Sequence, residues 1–389
     1  MKTERSTYRD AATGATVIQW TDGWHNNQHL YFTSPSVTAD DRWLVFISDR
    51  DGQPNLYAID RRNGAIRQLT ANVSGLLKSY VYPQGSGRGL AKSSPCLDAA
   101  CNRVFYARDD AFFFTNIDAD RDGEELLWKI PNGWVGAFNH ISPDGRLLCV
   151  PLTDPRAFAD DADNQWTQMR MVAARMEREK LTSRIYLIDT VSGAARLAAE
   201  TPFWVTHVQF DPTGSGRIIF NREGFAADSD HPPRNRIWCL DSRAVSGTPC
   251  RPLSPEPPGE WRAHENWTAD GGGIVYHGGR AGGAFVAARD WGGKLLWETS
   301  VAGIQFWHAT GAPDGRRIFA DQPDGFISLL DPFAAADGQR VRRLCRHNTT
   351  IENQDAHAHP LVTLGGESLT FTSNQSGRCQ VYEVLLPKS

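Results

Sequence analysis

One sequence unit recurs along this chain, and its internal pattern strongly limits the possible folds. Its best-preserved copy spans residues 36–70 and reads SVTADDRWLVFISDRDGQPNLYAIDRRNGAIRQLT. Apolar stretches in that copy alternate with an Asp-rich turn, an Asp-Gly turn and an Asn-Gly turn, which is the pattern of strands joined by hairpins. Four antiparallel strands in about 40 to 50 residues are typical of one blade of a β-propeller.

The turn between the first two strands recurs along the chain, and an apolar strand follows each copy. We call the residue at the centre of each copy a turn anchor. The anchors are Asp40, Asp98, Asp144, Thr213, Asp270, Asp314 and Gly365. Seven anchors predict an all-β fold, a seven-bladed β-propeller in which residues 1–389 form a single domain.

The two ends of the chain are predicted to share one blade. After residues 381–385 the chain stops one strand short of a blade, and residues 14–21 resemble the outermost strand at 64–70. We therefore expect the N-terminal strand to complete the last blade and to close the ring, which leaves no open sheet edge.

One segment departs from the strand pattern. Residues 154–180 are rich in helix formers and lack strand alternation. They predict a helical insertion around residues 155–180, assigned to the fourth blade because it falls in the long gap between Asp144 and Thr213. Such an insertion would form a rim over one mouth of the propeller or pack on its outer wall.

Composition argues against several classes of partner. A net charge of −4 and a pI near 6.3 favour neither nucleic acid nor an anionic membrane. The chain contains no apolar run of about 18 residues that would span a membrane, and its first residues lead into no signal peptide. Seven scattered cysteines without a C-x-x-C pair favour a reduced protein in the cytoplasm. The oligomeric state is left open.

Four histidines occupy the same position in four successive blades. His207, His264, His308 and His359 each lie six residues before a turn anchor, where the innermost strand begins. Because innermost strands line the central channel, we expect these side chains on one ring near one mouth. The alternative is that they cap strand ends through backbone hydrogen bonds.

The segment QDAHAHP at 354–360 predicts a metal site. Residues two apart in a strand point to the same face, so His357 and His359 would stand side by side, just after Gln354. Imidazoles and an amide oxygen suit Mn²⁺, Fe²⁺ or Zn²⁺, whereas the shortage of carboxylates disfavours Ca²⁺. The simpler alternative is a pair of exposed loop histidines.

Arg236 allows two interpretations. It would be an ordinary surface charge or, if it lies beside a metal, a residue that binds a carboxylate through two hydrogen bonds.

These residues resemble the oligogalacturonate lyase family, which comprises cytosolic, metal-dependent, seven-bladed propeller enzymes of pectin breakdown. The similarity extends over nearly the whole chain. It includes YRDAATGA at 8–15, HENW at 264–267 and HNT at 347–349, and it is densest at 354–360. The Gln-x-x-His-x-His-Pro element is its most specific part.

The resemblance implies a role for each candidate residue. Manganese would be bound by four residues: His308, Gln354, His357 and His359. His264 would be the base that abstracts a proton, and Arg236 would bind or neutralise the carboxylate of a uronate. His207 and His25, the latter in Trp24–Asn27, would contact the substrate.

The implied reaction is β-elimination at 4-linked hexuronates of a small acidic oligosaccharide, with a 4,5-unsaturated uronate as product. Residues 26–29, residues 80–92 and the predicted insertion differ from the family. Since these segments are expected to face the sugar, uronate lyase chemistry is better supported than galacturonate specificity.

Two other functions fit parts of the pattern. A non-catalytic, TolB-like propeller that binds other molecules shares the blade repeat, but such proteins are usually exported and need no histidine ring. A propeller hydrolase or lactonase uses mainly Asp, Glu and Asn around Ca²⁺ or Zn²⁺, which an imidazole-rich cluster does not match.

Overall fold

Thirty strands in the described part of the chain form seven antiparallel sheets. The computed structural model describes residues 3–73, 90, 94–118, 123–160, 165–224, 235–244, 250–334, 340–350 and 356–387. Each sheet is one blade, so the predicted seven-bladed propeller is confirmed. No helix among these residues has the length and apolar character needed to cross a bilayer.

The strands are numbered in chain order. The N-terminal strands β1 (Ser6–Arg9) and β2 (Thr16–Gln19) belong to the last blade. The first blade contains β3 (Asn27–His29), β4 (Trp43–Ser48), β5 (Asn55–Asp60) and β6 (Ala65–Gln68). The second contains β7 (Cys96–Asp98), β8 (Arg103–Arg108), β9 (Ala111–Asn116) and β10 (Glu125–Lys129). The third contains β11 (Val135–Gly136), β12 (His140–Ile141), β13 (Leu147–Thr153), β14 (Ser183–Asp189) and β15 (Ala195–Thr201).

The remaining blades follow the same order from the channel outwards. The fourth contains β16 (Val208–Phe210), β17 (Arg217–Asn221), β18 (Ile237–Asp241) and β19 (Arg251–Pro252). The fifth contains β20 (Trp261–Trp267), β21 (Ile274–Arg280), β22 (Gly283–Arg289) and β23 (Leu295–Thr299). The sixth contains β24 (Ala309–Gly311), β25 (Ile318–Asp321), β26 (Phe326–Leu330) and β27 (Val341–Arg346). The seventh contains β28 (Leu361–Val362), β29 (Ser368–Ser373) and β30 (Gln380–Leu385), followed by β2 and β1.

Three turn anchors hold their hairpins in the same way. In each, one carboxylate oxygen accepts a hydrogen bond of 2.6 Å from the hydroxyl two residues before it. The same oxygen accepts the backbone N–H two residues after it. This side-chain pattern substitutes for backbone pairing in a tight turn, and it explains why the anchors are visible in the sequence. The pairs are Thr38–Asp40, Ser142–Asp144 and Thr268–Asp270.

Apolar side chains fill the spaces between neighbouring sheets. One cluster joins Val45 of the first blade to Val104 of the second, and another joins Ile219 of the fourth to Tyr276 of the fifth. Because each sheet packs between two others, its strands are buried on both faces, as β4 is along its whole length. The core therefore forms a ring around the central channel.

Ring closure occurs as predicted, with one addition. Strand β2 pairs with β30 and completes the seventh blade, and β1 adds a fifth, outermost strand that the sequence interpretation did not include. Polar contacts also join the seventh blade to the first. Glu383 is fully buried; it accepts a hydrogen bond from Trp20 Nε1 at 2.7 Å and pairs with Arg61 of the first blade.

Glu383→Gln is expected to lower the free energy of unfolding by about 3 kcal/mol, because it leaves the guanidinium of Arg61 without its buried partner. Chemical denaturation of the purified variant measures this loss. Glu298→Gln is the matched control, because Glu298 pairs with Arg280 at a more exposed site and the loss should stay below about 1 kcal/mol. Equal losses in the two variants would contradict this account of ring closure.

The predicted helix is present, but its assignment to the fourth blade is wrong. A 3₁₀ helix (Pro155–Phe158) and α1 (Gln165–Glu179) lie between β13 and β14, in the third blade. Asp144 anchors the first hairpin of the third blade, and that blade continues until the innermost strand of the fourth blade begins. The helical insertion after Asp144 therefore belongs to the third blade.

Helix α1 lies at the mouth where the innermost strands begin. Its side chains Met169, Val172 and Met176 pack with Trp204, which lies in the loop between β15 and β16. In an antiparallel blade, the connection from the second to the third strand and the connection to the next blade lie at the same end. Of the two predicted positions, the contacts therefore favour a rim over the mouth.

Candidate metal centre

Three histidines from two blades meet at one mouth of the channel. His308 immediately precedes β24, while His357 and His359 precede β28. One ring nitrogen of each lies within 4.8 Å of one nitrogen of each of the others. His308 and His357 are buried and His359 is partly buried. The fourth predicted ligand, Gln354, lies outside the described residues.

Asp321 orients His308. Its carboxylate accepts the backbone N–H of His308 at 2.6 Å and is paired with Nδ1 of the ring at 3.0 Å. Burial would raise the pKa of Asp321, but its hydrogen bonds and electrostatic interaction with His308 outweigh the effect of burial and lower that pKa. Nε2 of His308 has no hydrogen-bond partner among the described residues. A metal-binding imidazole usually has a carboxylate bonded to one ring nitrogen, while its second ring nitrogen faces the metal. His308 has this arrangement, with its second nitrogen directed into the histidine cluster.

The arrangement fits a divalent transition metal. Three imidazole nitrogens converge in a largely buried place, and a carboxylate sets the orientation of one of them. Nitrogen donors of this kind suit zinc, iron and, together with oxygen donors, manganese.

His264 lies directly beside the cluster. Its ring centroid is 4.1 Å from that of His308, and its Nδ1 is 2.7 Å from Nε2 of His277. Burial, reinforced by the neighbouring His308 and His277, lowers its pKa well below the usual value, so the ring is neutral near pH 7.

The backbone at His264 is unusual. Its φ is +52°, and the ladder between β20 and β21 is irregular between Ala263 and Asn266. Bulges redirect side chains, and a positive φ is uncommon for residues other than glycine. His359 has a similar φ of +48°. Such conformations cluster at functional sites, because only a demanding side-chain position compensates for their strain.

Arg236 is held by two buried carboxylates near the cluster. Its Nε donates to Glu265 at 3.2 Å and its Nη1 to Glu223 at 3.0 Å. Burial would raise the pKa of Glu223, but Arg236 and His207 outweigh it and lower that pKa to about 2. Arg236 is therefore neither a surface charge nor a flexible one, and two salt bridges fix its orientation.

His207 is joined to the cluster by a loop of the first blade. Its Nδ1 is 2.6 Å from Thr206 Oγ1, its Nε2 is 3.1 Å from the hydroxyl of Tyr31, and its ring stacks on Phe138. Tyr31 also contacts His359, with ring centroids 4.8 Å apart. Burial lowers the pKa of His207 to about 3.

His25 stands apart from this group. Its ring is exposed, and its carbonyl accepts hydrogen bonds from Asn27 and Gln380. No contact among the described residues joins it to the histidine cluster. The predicted substrate contact of His25 stays a prediction.

Several residues of the site were missed from the sequence. The innermost strand of the first blade is interrupted after β3, and Tyr31 and Phe32 enter the channel among the histidines. The partners His277 and Asp321 were also missed, as was Asn221, whose side-chain oxygen accepts the backbone N–H of His207 at 2.8 Å. The sequence does contain a pattern that could have identified these three residues. Each lies seven or eight residues after a turn anchor, within the second strand of its blade or at the end of that strand.

Sequence comparisons place the chain among known lyases. The family model described as oligogalacturonate lyase matches residues 2–289. An oligogalacturonide lyase of Pectobacterium atrosepticum is 22% identical over 411 residues, which covers 98% of this chain and 96% of the relative. An oligogalacturonate lyase of Dickeya dadantii is 22% identical over 418 residues with the same shares.

Solved structures share the fold. A structure described as oligogalacturonate lyase in complex with manganese has a TM-score of 0.80 and 21% identity, covering 100% of this chain and 97% of that chain. An oligogalacturonate lyase of Vibrio parahaemolyticus has a TM-score of 0.79 and 18% identity, covering 100% and 98%. Because the family model spans residues 2–289 of 389, the chain belongs to the oligogalacturonate lyase family, whose members are lyases that act on oligosaccharides.

Proposed function

We propose that this protein cleaves 4-linked hexuronate oligosaccharides of the oligogalacturonate type by β-elimination, giving a 4,5-unsaturated uronate. The observation that carries the proposal is the contact of a neutral imidazole, His264, with a three-histidine cluster suited to a metal. His308, His357 and His359 would bind the metal, with Gln354 as a further ligand. Manganese is the proposed metal, supported by the related lyase described in complex with it.

The C5 proton of a uronate is acidified by the adjacent carboxylate but is still hard to remove in water. A bound divalent cation would supply positive charge that offsets the negative charge developing at the carboxylate. His264 would take the C5 proton on Nε2, because its Nδ1 is directed to His277. Arg236, held by its two glutamates, would bind the carboxylate from a fixed direction.

The bond changes balance without another cofactor. The C5–H and C4–O bonds break, the C4=C5 double bond forms, and the departing oxygen takes up one proton from solvent. His207 and His25 are proposed to contact the sugar. Since all seven cysteines are free thiols, we also propose a reduced, cytoplasmic compartment.

A panel of di- and oligouronides tests the proposal. Manganese-loaded protein should produce ultraviolet absorbance of the conjugated product with oligogalacturonate, and protein treated with a chelator should produce none. Silence with galacturonate, glucuronate and rhamnose-containing uronides alike would overturn the lyase assignment. A product that lacks the unsaturated ring would indicate hydrolysis instead.

Arg236→Lys is expected to raise KM for oligouronides roughly tenfold, because an ammonium does not reproduce the fork that binds a carboxylate through two hydrogen bonds. The substitution retains a positive charge beside Glu223 and Glu265, so the fold should persist. Steady-state kinetics and a thermal unfolding curve separate the two effects. An unchanged KM in a folded variant would remove Arg236 from the substrate site.

A further inference from the structure

The hydrogen bond between His264 and His277 has a specific geometry. The nitrogen atoms are 2.7 Å apart, the ring centroids are 4.8 Å apart and the ring planes differ by 5°. These values describe two nearly parallel imidazoles whose facing nitrogens lie within hydrogen-bond distance of each other. His277 is 3% exposed, so water has little access to replace it.

The same arrangement recurs in the next blade. His308 precedes the innermost strand of the sixth blade, and its Nδ1 is held by Asp321 at the end of the second strand. His264 holds the matching place in the fifth blade, and its Nδ1 is held by His277 in the second strand. His277 and Asp321 each lie seven residues after their turn anchor. The two partners are therefore equivalent in the repeat.

Trp261 closes the outer side of this pair. Its ring meets that of His277 edge-on at a centroid distance of 5.3 Å. The indole lies against Gly279, where an added Cβ would come within 2.6 Å of Nε1. A glycine at that position therefore lets Trp261 pack against the strand and support His277.

We propose that His277 is a positioning residue that selects the tautomer of the base. It accepts a hydrogen bond from the Nδ1–H of His264, so that Nε2 of His264 carries the lone pair that removes the C5 proton. His277 itself touches no substrate atom in this assignment. The inference rests on the proposed function, in which His264 is the base.

A neutral imidazole needs such a partner to be an efficient base. If His264 carried its proton on Nε2, the nitrogen directed to the substrate would have no lone pair. Loss of the correct tautomer is costly in other enzymes that use an oriented histidine. In the proposed arrangement the Nδ1 of His264 donates to a buried ring, so the correct tautomer would be set before substrate binds.

Nitrogen NMR tests the tautomer without an activity measurement. Protein carrying ¹⁵N-labelled histidine and loaded with diamagnetic Zn²⁺ should show His264 protonated at Nδ1 and unprotonated at Nε2 near pH 7. The signal is assigned from its absence in His264→Gln. A signal from His264 with the proton on Nε2 would overturn the proposal, whatever the enzyme's activity.

Kinetics of two variants provide the second test. His277→Phe, which retains a ring but no acceptor, should lower kcat about 10²-fold with little change in KM or bound metal. His277→Gln, whose amide oxygen can accept the same hydrogen bond, should recover part of the loss. Tyr276→Phe is the control, because Tyr276 lies in the same strand as His277 and the substitution also removes one hydrogen bond, which Arg289 donates to its hydroxyl.

The results separate this inference from the proposed function. Wild-type kcat in a folded His277→Phe protein would overturn the positioning role and leave the lyase assignment intact. Inactive wild-type protein would overturn the lyase assignment, while the NMR measurement would still report which nitrogen of His264 carries the proton.

Discussion

His264→Ala is expected to lower kcat by about 10³-fold and to leave the bound metal unchanged, whereas His308→Ala is expected to remove the metal and the activity together. The two rings are 4.1 Å apart, yet their proposed roles differ. His308 has its carboxylate partner Asp321 and lies in the three-histidine cluster. His264 is bonded to another imidazole and lies outside that cluster. Metal analysis and product absorbance of each purified variant measure the two effects.

Asp321→Asn provides a graded control for this comparison. It keeps all three histidines but removes the carboxylate that orients His308, so metal affinity should fall about 10- to 100-fold. The expected order of affinity places wild type and His264→Ala first, then Asp321→Asn, then His308→Ala. If His264→Ala lost as much metal as His308→Ala, His264 would be a ligand and the base would have to be sought elsewhere.

The fold was predictable because its determinants are local. Three of the turn anchors bond to residues within two positions of themselves, as Asp40 bonds to Thr38 and Arg42. Turns of this kind leave a regular trace in the sequence, and seven recurring turns give seven blades. The register of the histidines follows from the same repeat, which is why His308 and His359 could be placed together before their contact was seen.

The rest of the site depends on contacts between distant segments. Tyr31 and Phe32 enter the channel only because the innermost strand of the first blade is interrupted, and no repeat marks that interruption. The partnership of His264 with His277 depends on a bulge and a positive φ that the sequence pattern does not display. The two salt bridges of Arg236 join residues 13 and 29 positions away.

The family match favours an enzyme over the non-catalytic propeller that the blade repeat alone allowed. The cluster adds a physical argument, since a purely structural ring would not require several neutral imidazoles in a buried place. Burying groups that protonate near neutral pH carries a cost in stability, and that cost appears when the pH falls.

Acidification from pH 6.5 to pH 5 is expected to lower the free energy of unfolding of the metal-free protein by about 5 kcal/mol. Burial lowers the pKa of His140 to about 4 and the pKa values of His207 and His277 to about 3. Below a pH of about 6.5 the unfolded chain binds protons at these positions and the folded chain does not. Stability therefore falls as the pH falls through this window, by about 1.5 kcal/mol for each histidine.

The carboxylate of Glu223 does not offset this loss in the same window. The pKa of Glu223 is lowered to about 2, so this group stays ionised in the folded protein at pH 5, and the stability that its low pKa provides is lost only at lower pH.

Urea denaturation at pH 7, 6 and 5 measures how the free energy of unfolding depends on pH. His140→Gln should reduce the slope by about one proton, because it removes one titrating group outside the histidine cluster. Equal stability at pH 7 and pH 5 would show that these histidines are not buried in the neutral form. Since a total stability of about 5 to 15 kcal/mol is typical of a folded protein, a loss of this size would remove about a third or more of the stability of the metal-free protein at pH 5.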